Sequence, residues 1–294
     1  MGRPIMPQTM HVLALAGALC SAAATIFIRQ GLRTSDPFSG FWINLLVGTI
    51  SLWVAVLVTG GPGRVSARGA LFFVCAGLIG TVGGRLLRFV SIERVGASIA
   101  AALINLNPFV SSTLAIVLLG ERVTVPIVVG TAVIVAGTTL LSAGGMRLGF
   151  RPGQLVLPLL SAVCFGVVAV LRKLGLSDTG PIVGSAINVT TALVAFTVFL
   201  LASGRAEVMV SRGRSLAHFV AAGLTENAGV FMNVLALGLG TVSVVTPLYG
   251  TAPIFVLFLA PFFLRDVETF SLRVVAGTVL IVLGVYLITA LAGR

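Results

Sequence analysis

Apolar residues fill the chain in ten long runs, and short segments between them hold much of its Arg, Asp, Gly and Pro. The runs cover approximately 10–31, 38–59, 69–92, 96–119, 124–143, 153–174, 181–202, 216–238, 242–264 and 271–291. Each is about 20 residues long, the length a helix needs to cross a hydrocarbon layer. A helix satisfies its own backbone hydrogen bonds inside lipid, which an open strand cannot do. The pattern therefore predicts an all-α integral membrane protein with ten transmembrane helices. No connecting segment is long enough for a soluble domain, so any activity lies among the helices or at their ends.

The last five runs repeat the first five. A shift of 144 residues aligns 31–44 with 175–188, and six of fourteen positions match, among them Gly31/Gly175, Pro37/Pro181, Gly40/Gly184 and Asn44/Asn188. A shift of 147 aligns 121–143 with 268–290, and nine of twenty-three match, including Glu121/Glu268, Gly130/Gly277 and Gly137/Gly284. Between them a shift of 145 pairs Pro108 with Pro253. Apolar positions coincide easily by chance, so the Pro, Gly, Asn and Glu matches carry the weight. Five is odd, so the second copy must enter the membrane from the opposite side. Two inverted five-helix repeats are expected, 1–145 and 150–294, an arrangement on which alternating access is commonly built.

The chain resembles the EamA-type branch of the drug/metabolite transporter superfamily. The first copy carries the resemblance in Asn107-Pro108-Phe109, in Leu118-Leu119-Gly120-Glu121-Arg122-Val123-Thr124 and in Gly130. The second carries it in Ala252-Pro253-Ile254, Asp266-Val267-Glu268-Thr269 and Gly277. There the copy departs from the pattern, with Arg265-Asp266-Val267 where Leu-Gly usually precedes the Glu. The resemblance implies ten helices in two inverted repeats and transport of a small metabolite. It also implies a multi-pass protein of the cell membrane, in a prokaryote. Relatives export amino acids, metabolites and drugs, so it does not select a substrate.

Composition sharpens the class. Apolar residues make up 57% of the chain and charged residues only 9%, with a mean hydropathy of +1.14; a soluble domain is about a quarter charged. The net charge of +11 is spread over arginines in short segments. It suits lipid headgroups rather than nucleic acid, which is not expected as a partner. The expected partners are the lipid bilayer and a small-molecule substrate, with a homodimer left open. Cys20, Cys75 and Cys164 fall inside runs, without CxxC spacing or a His cluster, so no metal, disulfide or cofactor is expected. The first run extends to Ile28, beyond a signal-peptide core, and has a counterpart at 153–174; it is expected to stay as the first helix. Arg and Lys are more numerous in the segments that lie outside when both termini are cytoplasmic, against the positive-inside tendency. The resemblance implies termini inside, so orientation stays open.

Charge within a span is costly and usually faces a cavity. Arg85 and Arg88 fall in the third run and Glu226 in the eighth, runs that the duplication makes equivalent. Thr81, Arg85 and Arg88 share a helical face, as do Glu226 and Asn233, and Arg88 aligns with Asn233. Counted from opposite ends of their helices, Arg85 and Glu226 reach similar depth. Either they form a permanent pair that fastens the halves, or they bind substrate. In the second case Arg85 or Arg88 meets the carboxylate of an amino acid and Glu226 its ammonium. Glu226 is also the proton-coupling candidate. Asn44, Asn188 and Asn227 add polar groups that bond either a neighbouring helix or a ligand. Tyr249 is a candidate aromatic wall of the site. Pro108 and Pro253 mark either hinges or packing kinks. Gly80 and Gly84 suit close helix packing. Glu121 and Glu268 each precede a helix whose N-terminal dipole favours a carboxylate, with a transport role as the alternative.

The function expected is secondary transport by alternating access, as an exporter of a small polar or amphipathic metabolite such as an amino acid. The alternative substrate, drawn by Arg85 and Arg88, is an organic anion or a phosphorylated metabolite. An intramembrane enzyme would need paired aspartates, a Ser/His pair or HExxH within the spans. Asp36, Asp178 and Asp266 all fall at helix ends, so no catalytic residue and no enzyme activity are expected. A structural or interaction membrane protein is the third reading, disfavoured by Arg and Glu inside the spans.

Overall fold

The structure, a computed structural model, describes residues 6–95, 100, 103–142, 152–209, 213–263 and 272–291. Among these the chain is helical. It runs through α1 (Met6–Gly31), α2 (Pro37–Val58), α3 (Ala67–Ala76), a π-helical segment Gly77–Gly84 and α4 (Arg85–Val95), the last three forming one continuous rod. After these come α5 (Asn107–Leu119), α6 (Val125–Ser142), α7 (Val156–Gly175), α8 (Pro181–Ala202) and α9 (Arg214–Leu239). The last elements are α10 (Val242–Tyr249), α11 (Ala252–Phe263), α12 (Leu272–Tyr286) and a closing π-helical turn, Leu287–Leu291. Local chemistry sets several ends. The Asp36 carboxylate accepts the Phe38 amide (2.7 Å) with Pro37 at the first helical position. Gly120, at φ +65°, ends α5 in the left-handed conformation that glycine tolerates best.

Among the described residues, six helices are long and apolar enough to cross a membrane: Gln8–Gly31, Pro37–Val58, Ala67–Ser91, Gly153–Gly175, Pro181–Ala202 and Arg214–Leu239. Four shorter apolar helices accompany them. Their outer faces expose Leu57, Val58, Val117, Val125 and Leu272 among many other large apolar side chains, as a surface facing lipid requires. The chain is thus an all-helical, multi-pass membrane protein.

Two of the runs read as single spans are interrupted. The fourth turns at Asn105-Leu106 before α5, and the ninth turns at Gly250-Thr251 between α10 and α11. Pro108 and Pro253 each stand in the first turn of the helix after the break. A missing N–H leaves no bond unmade there, so these prolines start helices rather than kink them. The breaks face each other: a Cβ on Gly250 would lie 3.7 Å from Cγ of Pro108.

Two pairs of helices that the duplication superposes in sequence, α2 with α8 and α6 with α12, lie side by side and run antiparallel. In α2 and α8, Trp42 donates to the Thr197 hydroxyl (3.0 Å) and Trp53, farther along α2, to Thr190, earlier in α8 (2.9 Å). In α6 and α12, Gly130 meets Gly284 and Gly137 meets Gly277. A Cβ on Gly284 would lie 2.7 Å from the Gly130 carbonyl oxygen, and one on Gly137 2.7 Å from that of Gly277. The helices of the third and eighth apolar runs pack instead on helices of the opposite sequence copy. The Phe73 ring of α3 fills the space over Gly175 and Gly184, and the Phe219 ring of α9 does the same over Gly31 and Gly40. These glycine pairs are among the matches of the 144-residue shift, which gives them a packing reason.

Candidate functional site

Arg85 owes its position to the π-helical segment before it. That segment holds Gly77, Gly80, Gly83 and Gly84. A wider turn leaves helical bonds imperfect, and such turns often occur at functional sites. The small residues also let α7 approach: the Ser161 hydroxyl donates to the Gly84 carbonyl (2.8 Å), and a Cβ on Gly84 would lie 3.2 Å from Cβ of Cys164. Arg85 then opens α4 pointing into the bundle, 5% exposed.

Arg85, Arg88 and Glu226 converge. Nη2 of Arg85 lies 3.8 Å, and Nη1 of Arg88 3.6 Å, from the same oxygen, Oε1 of Glu226. These are ion-pair distances and too long for hydrogen bonds. Glu226 is 5% exposed, and its Oε2 has no hydrogen-bond partner among the described residues; nor has Nη2 of Arg85. Other bonds hold the two guanidiniums. Nη1 of Arg85 donates to Oδ1 of Asn44 (3.2 Å), and Nη2 of Arg88 to the Thr25 hydroxyl (2.9 Å). Asn227, next to Glu226 on α9, donates through Nδ2 to the Gly223 carbonyl (2.7 Å) and the Asn44 carbonyl (3.1 Å). That fixes α9 against α2 at the level of the charges.

Asn188 does for the other half what Asn44 does for the first, with a different cation. Its Oδ1 accepts from Nε of Arg172 (3.1 Å), and its Nδ2 donates to the Thr81 hydroxyl (2.7 Å). Arg172 is 7% exposed and sits within electrostatic reach of Arg85, Glu226 and Tyr249. Tyr249, at the end of α10 beside the break, is likewise within reach of Glu226 and Arg85. Asn233 stands two turns beyond Glu226 on α9; its buried Oδ1 has no partner among the described residues, and no hydrogen bond ties it to the charges. The described cluster therefore unites Arg85, Arg88, Arg172, Glu226, Asn44, Asn188 and Asn227, with Tyr249 at its edge. Two guanidiniums pair with one carboxylate, and a third, that of Arg172, stands within electrostatic reach of it.

Arg172 is absent from the candidates drawn from sequence. It stands next to Lys173 in the last turn of α7, where two basic residues read as loop charges facing headgroups. Consecutive helical residues point about 100° apart, and the two side chains separate. Arg172 turns inward, and Lys173 donates to the carbonyls of Leu237 (2.7 Å) and Gly240 (2.6 Å) at the end of α9.

Glu121 also departs from expectation. It does not cap the helix that follows it. Its Oε1 accepts the Val242 amide (2.8 Å), and its Oε2 accepts the Ser243 amide (3.1 Å) and hydroxyl (2.7 Å), at the N-terminus of α10. The carboxylate still meets a helix dipole, but of a distant helix. Lys173 and Glu121 thus grip the α9–α10 turn from opposite sides of the charge scale. Glu268, Arg265 and Asp266 lie outside the described residues.

The family described as "EamA-like transporter family" matches the chain twice, over residues 8–143 and 152–290. No curated protein matches the sequence. A solved crystal structure of a protein 19% identical in sequence superposes with a TM-score of 0.78, covering 98% of both chains. At that identity the likeness is one of fold.

Proposed function

The chain belongs to the EamA-like transporter family, and from that premise we propose a secondary exporter that moves a small polar metabolite, such as an amino acid, across a prokaryotic cell membrane by alternating access. The ten helices form two inverted five-helix repeats, 1–145 and 150–294. The antiparallel pairing of α2 with α8 and of α6 with α12 supports that reading. The facing breaks at 105–106 and 250–251, each followed by Pro108 or Pro253, serve as hinges; interrupted helices at matching positions of two halves commonly do so.

The observation that carries the reading is the incomplete pairing of Glu226. Two guanidiniums approach one of its oxygens without hydrogen-bonding it, and the other oxygen has no partner among the described residues. A permanent structural pair gains from short, fully satisfied bonds, because desolvation otherwise outweighs the attraction. A pair held loosely can exchange partners with a zwitterion. The substrate ammonium meets Glu226, and its carboxylate meets Arg85 and Arg88. Asn44, Asn188, Asn227 and Asn233 line the site and Tyr249 closes it. A second reading, an organic anion or phosphorylated metabolite, is favoured by the excess of Arg over Glu in the cluster.

The test is counterflow of radiolabelled amino acids into proteoliposomes holding the purified full chain. Uptake that Glu226→Gln and Arg85→Ala each abolish, with both variants still inserted, is the expected result. Wild-type rates in either variant refute the site.

A further inference from the structure

Arg172 has no carboxylate of its own. Asn188, a neutral side chain, accepts its Nε proton, and among the described residues Arg172 forms no ion pair. Glu226 lies within its electrostatic reach but is already shared by Arg85 and Arg88. A guanidinium withdrawn from water without a counter-charge is expensive to hold. The scaffold does not demand it either. The 144-residue shift sets Arg172 on Ile28, an apolar residue packed in the core of the first half. The two halves share the bundle, and one of them adds a cation.

We propose that Arg172 binds a second anionic group of the substrate, so that the transported molecule is an amino acid with an acidic side chain. This rests on the reading of the Arg85–Glu226 cluster as the substrate site. The substrate's ammonium engages Glu226, its α-carboxylate engages Arg85 and Arg88, and its side-chain carboxylate engages Arg172. Each buried charge then has a partner of opposite sign. A neutral amino acid leaves Arg172 unmatched and is carried poorly.

The experiment compares counterflow of labelled glutamate, aspartate, serine and leucine in proteoliposomes of wild-type, Arg172→Gln and Arg172→Lys protein. Uptake of glutamate or aspartate at least tenfold above serine and leucine is expected for the wild type. Arg172→Gln then removes that tenfold preference, losing far more acidic than neutral uptake, and Arg172→Lys restores part of it. A single symmetric gel-filtration peak in detergent shows that each variant is folded. Wild-type preference for serine or leucine overturns the proposal and leaves the transporter reading standing. An equal loss of acidic and neutral uptake in Arg172→Gln also overturns it, since that is what a structural role would give. Failure of the wild type to move any of the four amino acids overturns the amino-acid reading and this proposal together.

Discussion

Replacing Glu226 with Gln keeps the shape of the side chain and removes its charge. The carboxylate lies 3.8 Å from one guanidinium and 3.6 Å from another. At an effective dielectric of about 20, each attraction is worth roughly 4 kcal/mol before desolvation is counted. Arg88 is partly open to solvent, its side chain 19% exposed, so its share is the smaller. Breaking a buried pair by removing one partner typically costs about 3–5 kcal/mol, because the other charge stays buried. Here two like charges stay, held near each other by Asn44 and Thr25. A loss of about 3 kcal/mol lowers the melting temperature by on the order of 5–10 °C in a chain of this size. Thermal unfolding in detergent, followed through Trp42 and Trp53, reads that shift. If the same 3 kcal/mol is lost from substrate binding, counterflow falls by about two orders of magnitude. Melting within 1–2 °C of the wild type together with unchanged counterflow would refute the reasoning, for it would mean that Glu226 neutralises neither arginine.

Other outcomes follow from the same geometry. Glu121→Ala removes the acceptor of two amides and a hydroxyl at the start of α10; a loss of about 1–2 kcal/mol is expected in thermal unfolding, and an unchanged melting temperature would deny the capping role. Gly284→Leu drives a side chain into the Gly130 carbonyl and should cost about 1–3 kcal/mol, whereas an exposed control such as Val279→Leu should cost little. A melting temperature equal to the wild type for Gly284→Leu would mean that α6 and α12 are not in close contact. Asn188→Ala leaves Arg172 without the acceptor of its Nε proton and Thr81 without its donor. Acidic amino acid counterflow should drop by about tenfold or more, and undiminished flux would separate Asn188 from the site.

The helical, membrane-spanning character was legible because lipid leaves few solutions to an apolar chain. The duplication was legible wherever its matches were Gly, Pro or Asn, residues whose packing role the structure supplies at Gly31, Gly40, Gly175 and Gly184. The meeting of Arg85, Arg88 and Glu226 followed from depth and helical face alone. Three features were hidden. The π-helical turn at 77–84 changes the register without changing the hydrophobic pattern. Arg172 was concealed by Lys173 beside it, since sequence order does not tell which of two adjacent cations turns inward. Glu121 caps a helix about 120 residues away in the chain, a long-range contact that spacing rules cannot reach.

The most direct measurement is the accessibility of Asn233→Cys, at a position that makes no hydrogen bond to the charges, placed in a chain whose Cys20, Cys75 and Cys164 are replaced by Ser. A membrane-impermeant thiol reagent is added to one side or the other of oriented proteoliposomes, with and without a saturating transported amino acid. Labelling from both faces, with the amino acid raising one rate as it lowers the other, is the expected result for a chamber that opens to each side in turn. Labelling from a single face under every condition would contradict alternating access, as would no labelling at all.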